Sequence, residues 1–179
     1  MLSFLIILVF LYFFYEGSQR GVWLQLVHIG GYLISLLVAT LGYKALAAHL
    51  TLLVPYPSAT EQSQFVFFSN QVGLTLDHAF YRGVAFVLIL ALGWLLTRFA
   101  ALWVHDLKYR PVDPTINGLA GGVLNLLMGY VFVFLLLYLV ALIPVAGLQH
   151  MLADSFVAKL IVRYSLGLTG LFTHLWLVA

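Results

Sequence analysis

Two of the six histidines in this 179-residue chain adjoin acids, as Asp77-His78 and His105-Asp106, and His150 and Asp154 fall one helical turn apart. Imidazole and carboxylate at such spacing can share a divalent cation or act as a base and its orienting group. A metal site needs a third ligand, and none stands near these pairs; the sequence has no HExxH and no cysteine. No GxSxG is present to expose a serine nucleophile, and no glycine run is followed by the Lys-Ser/Thr that completes a phosphate loop. No catalytic residue, metal ligand or cofactor site is therefore assigned. The pairs read as polar residues anchored at a membrane interface.

A second set of polar side chains lies inside otherwise apolar runs: Gln25, His28, Arg98 and Asn125. In hydrocarbon each needs a partner. Facing one another they are glue between helices; lining a cavity they are a pathway. Arg98 precedes His105 by seven residues and is flanked by Trp94 and Trp103, so it reads as an anchor snorkelling to the boundary. Every Asp and Glu falls in an expected loop or helix end, which argues against a carrier built on a mid-membrane carboxylate.

The elements that position these groups follow from composition. The chain is 64% hydrophobic and 8% charged with mean hydropathy +1.08, against about 45–50% and about 25% in soluble domains. Charged side chains this few cannot cover a globule, but they can dress the loops of a bundle whose wall faces lipid. The net charge of +2 comes without any basic cluster, so no nucleic-acid partner is expected. The absence of cysteine excludes disulfides and thiolate chemistry.

The fold class is all-α: a polytopic transmembrane bundle of about four spans in one domain, residues 1–179, with spans near 2–16, 22–43, 83–104 and 118–143. Leu2 to Tyr15 is about 21 Å long as a helix, short of a hydrocarbon core of roughly 30 Å. It lacks a basic leader and a small-x-small site before Glu16, so it is expected to be retained. A tight loop from Glu16 to Gly21 returns the chain and makes a hairpin of the first two spans. The loop of about 55–82 opens with Pro55 and Pro57. Within it, Phe68, Val72, Leu76, Ala79 and Phe80 share one side of a wheel, opposite Asn70, Gln71, Asp77, His78 and Arg82. Leu74 falls on the polar side, and the pattern suggests a helix lying at the interface. His105, Asp106, Lys108 and Arg110 close the third span ahead of Pro111 and Pro114, and Pro144 ends the fourth. The tail, 146–179, is too mixed for a fifth span and reads as helix docked on the bundle. Orientation stays open, because basic residues in the short loops and in the long loop and tail pull in opposite directions.

Small residues form two stripes. Gly118, Gly122, Asn125 and Gly129 share one face of the fourth span with Gly121 at its edge, and Gly31, Ser35, Ala39 and Gly42 share one face of the second, bordered by His28. Lipid gives helices no hydrophobic reason to associate, so close backbone approach must hold them. The two stripes are expected to pack on each other, with self-association through one of them as the alternative.

The order of these features resembles the colicin V production (CvpA) family. The resemblance rests on the apolar start, the turn Glu16-Gly-Ser-Gln-Arg-Gly21 followed by Gln25 and Gly30-Gly31, the run Asn117-Gly-Leu-Ala-Gly-Gly-Val into a glycine-spaced helix, and the tail Leu152-Ala-Asp-Ser-Phe-Val-Ala-Lys159. Family patterns often carry a basic residue after the equivalent of Asn117, where this chain has Gly118, so a role for that charge does not carry over. The resemblance implies a multi-pass protein of the bacterial inner membrane, linked to bacteriocin production or export and to envelope maintenance, without established catalytic residues.

Three functions follow as expectations. The first is a non-enzymatic membrane factor that assembles with itself or with other membrane and envelope proteins. The second is a small channel or transporter subunit with a pathway lined by Gln25, His28 and Asn125. The third is a membrane hydrolase using His78 or His105.

Overall fold

The computed structural model describes residues 1–57, 59–60, 63–73, 75–109, 112–165 and 167–178. Ser58, Glu61, Gln62, Leu74, Arg110, Pro111, Leu166 and Ala179, which enter the expected loops and tail, lie outside the described residues. Among the described residues the secondary structure is entirely helical. It comprises α1 (Leu2–Leu50), α2 (Asn70–Gly73), α3 (Leu76–Ala101), a tight turn of 3-10 helix (Leu102–Tyr109), α4 (Pro114–Ala141), α5 (Ala146–Ala153), α6 (Phe156–Tyr164), α7 (Leu168–Thr173) and a closing π turn (His174–Val178).

Among the described residues three helices are long and apolar enough to cross a membrane: Leu2–Leu50, Leu76–Tyr109 and Pro114–Ala141. A bent pair, Phe156–Tyr164 with Leu168–Val178 at 74°, makes up to four. The first of these is itself doubled. As a straight rod its 49 residues would reach about 73 Å, more than twice a hydrocarbon core of about 30 Å. Gly21 breaks it with φ 73° and ψ 175°, a backbone conformation that a side chain would strain. Phe13 and Gln25, on either side of the break, both hydrogen-bond the Asn125 side chain. In a straight helix they would stand about 18 Å apart. The chain therefore reverses at Gly21, leaving a first arm (residues 2–20) and a second arm (22–50). Helix continues up to the reversal, so one glycine does the work of the expected loop from Glu16 to Gly21.

The ends of the other rods have local causes. α4 starts at Pro114, four residues ahead of the expected span. Proline suits the first helical turn, and the Asp113 carboxylate caps it by accepting from the Thr115 and Ile116 amides at 3.0 and 3.1 Å. α3 begins at Leu76 and absorbs the end of the expected loop of 55–82. The amphipathic stretch 68–80 is helical in two pieces, α2 and the start of α3, rather than in one. Its expected apolar side is buried at Leu76, Ala79 and Phe80. Outside the spans, Tyr56 donates to the Leu142 carbonyl at 2.8 Å, and burial pushes its phenol up to about 12.

The core is built around α1, which packs on both α3 and α4, while these two touch each other far less. Toward the end of α4 at Ala141, the space between them is filled by the docked tail. Phe172 and Trp176 stack against Phe86 of α3, and against Phe134 and Tyr138 of α4. Tyr43 donates to the Leu175 carbonyl at 2.8 Å and Arg82 to that of Trp176 at 3.1 Å, which satisfies carbonyls at the end of the tail.

Candidate functional site

At the Gly21 end, four rods converge on a knot of polar groups. The small residues come first, because they set how near the rods approach. A Cβ on Gly121 would stand 2.5 Å from the Gly17 carbonyl oxygen, one on Gly122 2.8 Å from the Phe14 ring, and one on Gly129 2.5 Å from the Phe13 ring. Gly118 sits at the margin, 3.7 Å from the Ser18 carbonyl by the same measure. This face of α4 therefore packs on the first arm. The stripe of the second arm meets α3 instead: Gly31 lies against Thr97, Ser35 against Gly93, Gly42 near Ile89, and Ala39 is fully buried. The two stripes do not pack on each other as expected; each has its own mate.

Asn125 projects from the α4 seam at the level where the two arms part. It accepts from Gln25 Nε2 at 2.9 Å and donates to the Phe13 carbonyl at 2.7 Å, so one side-chain amide ties both arms to α4. Gln25 is fully buried and Asn125 nearly so. Arg20 reaches Gln25 Oε1 at 3.4 Å and also pairs with Glu16. Asn117 Oδ1 accepts from the Val22 amide at 2.7 Å, which caps the start of the second arm just past the reversal. His28 does not join the amides. Its Nδ1 donates to the Leu24 carbonyl at 2.8 Å and its ring meets Tyr32 edge-on.

Arg98 bonds Glu16 at 2.6 Å and lies 4.8 Å from the Trp94 ring centre. Trp94 thus flanks it as expected, but its polar partner is a carboxylate in the first arm rather than the membrane boundary alone. Glu16, read from sequence as part of a loop, sits within α1 and is shared by two guanidinium groups, its side chain 17% exposed. One signal was available: Glu16 and Arg20 stand four apart, the spacing of a helical ion pair. Gly17 with Gly21, and Gly93 with Thr97, are likewise small pairs four apart that mark the faces opposing each stripe.

Between the arms, α3 and α4 a cavity of about 580 Å³ opens, with Glu16, Tyr32, Trp94 and Arg98 at its polar end and otherwise mainly apolar walls. Gln25, His28 and Asn125 do not line it. The acid–histidine pairs are dispersed: Asp77 and His78 are solvent-facing, 3.9 Å apart, and among the described residues no three His, Asp or Glu side chains converge.

Residues 2–165 match the model of the family described as colicin V production protein. The chain belongs to the colicin V production family. Within it, a relative 31% identical over 176 residues, covering 98% of this chain and 97% of its own, is the "Uncharacterized transmembrane protein YshB" of Bacillus subtilis (strain 168). No solved structure matches the chain. Family membership and the apolar helices make this a multi-pass transmembrane protein, and the family is not one of known enzymes.

Proposed function

We propose that this family member is a non-enzymatic factor of the bacterial inner membrane, serving bacteriocin production or export or envelope maintenance by assembling with itself or with other membrane and envelope proteins. The observation that carries the reading is the closed bonding of Gln25 and Asn125. Each of these buried amides bonds protein, and neither faces the cavity. That favours glue over pathway. The family described as colicin V production protein supports the process. Because both small-residue stripes are occupied within one chain, assembly would use the outward faces of the rods rather than either stripe.

Two measurements test this together. Cells lacking the gene should lose secreted bacteriocin or gain sensitivity to detergents, and His28→Leu should restore them as well as the wild type does. Proteoliposomes should pass no more ions or small solutes than protein-free vesicles. Protein-dependent flux that disappears with His28→Leu would replace this reading with the channel.

A further inference from the structure

The cavity beside the Glu16–Arg98 pair has the shape and chemistry of a site for an amphiphile. Packed interiors hold few voids larger than a water molecule, whereas this one, at about 580 Å³, falls inside the range of about 300–1,000 Å³ typical of ligand pockets. Its walls are side chains such as Phe13, Leu36, Leu90 and Val131. An apolar space offers water no partners and stays dry. In a bilayer the medium available to fill it is an acyl chain.

Length and charge narrow the occupant. Along α3 the lining runs from Arg98 to Val87, eleven residues or about 16 Å, close to the roughly 15 Å depth of one leaflet of a 30 Å core. The polar end lies toward the end of the bundle where the chain reverses. Glu16 is five residues, about 8 Å, from the chain reversal at Gly21, and α3 gives way to the 3-10 turn three residues after Arg98. The charges there do not cancel: one carboxylate, Glu16, faces the two guanidinium groups of Arg20 and Arg98. The Arg98 side chain is still 39% exposed, and a guanidinium has five N–H donors in a fork that matches phosphate oxygens. Among the described residues Arg98 uses those donors on Glu16 alone.

We infer that this cavity is a binding site for one anionic phospholipid, with an acyl chain lying between the two arms, α3 and α4 and the phosphate held by Arg98. The inference is independent of the process the protein serves. The test is quenching of tryptophan fluorescence in the purified full-length protein by lipids brominated on the acyl chain, phosphatidylglycerol against phosphatidylcholine, with the Trp94 share taken as the difference from Trp94→Phe. The expected result is half-quenching of Trp94 at roughly tenfold less phosphatidylglycerol than phosphatidylcholine, the size of effect one to two charge-assisted bonds supply. Arg98→Gln should remove that preference while Arg98→Lys keeps most of it. Ala91→Phe, which fills the cavity and leaves the charges alone, should abolish quenching of Trp94 by both lipids while size-exclusion shows the fold retained. Equal quenching by the two lipids in the wild type would mean ordinary solvation by the bilayer and overturn the inference, as would a preference unchanged by Arg98→Gln or quenching unchanged by Ala91→Phe.

Discussion

The two ends of the bundle solve one problem by opposite means. At the Gly21 end the first arm and α4 approach until backbone meets backbone, with Gly17 against Gly121, and the buried amides of Gln25 and Asn125 bond across the seam. At the other end α3 and α4 stand apart, and the tail fills the gap with Phe172 and Trp176 against Phe86, Phe134 and Tyr138. Hydrocarbon gives neither end a hydrophobic drive, so each depends on contact quality. The seam at the first end can bear no added bulk, and the packing at the second can bear no loss of it.

That contrast breaks most visibly at the tail. Trp176→Ala removes a fully buried indole wedged among rings and should cost about 3–5 kcal/mol. Thermal unfolding in detergent would show it, with protease nicking of the tail ahead of the bundle. Gly121→Leu is the mirror experiment. Its side chain would point into the Gly17 carbonyl, and overpacking of this kind costs about 1–3 kcal/mol. The same assay should show a lowered transition with the tail still protected. If either change produced the other's pattern, the division between the ends would be wrong.

A finer cut separates the amides from the seam that carries them. Asn125→Leu strands the Gln25 Nε2 donor, while the Phe13 carbonyl keeps its helical bond, and should cost about 1–3 kcal/mol, whereas adding Gln25→Leu removes the orphaned amide and should recover part of the loss. Strict additivity in that double-mutant cycle would show that the two side chains do not act as a pair.

Long apolar runs and prolines made the rods, the docked tail and the loop after Val54 legible in the sequence, because burial in lipid demands lengths of about 20 residues. A helical wheel also identified the faces containing Gly31, Ser35, Gly121 and Gly129. It gives a face and not its mate, so sequence alone pairs the two stripes with each other, whereas they pack on α3 and the first arm. Glu16 was misplaced for a different reason. A charge in an apolar chain reads as a loop, and it is tolerable inside a helix because Arg20, one turn on, and Arg98, 82 positions away, both pair with it. The reversal at Gly21 was legible as a turn but not as a single residue, since nothing local distinguishes a glycine that bends a helix from one that packs it. The cavity has no sequence signature, because its walls are the same aliphatic and aromatic residues that fill the core.

The hairpin, the Asn125 tie and the cavity all depend on that reversal, and a chain without cysteine allows it to be measured cleanly. Spin labels on cysteines introduced at Leu5 and Leu37, both exposed and each sixteen residues from Gly21, would lie about 48 Å apart along a continuous helix. On arms that fold back at Gly21 and share one bundle they would lie at similar depth, separated by one to two interhelical distances of about 8–10 Å plus the label length, well short of about 48 Å. Pulsed dipolar spectroscopy in nanodiscs should return the short distance. A distribution centred near 48 Å would mean that α1 is one rod, and would contradict the hairpin, the Asn125 tie and the cavity between the arms together.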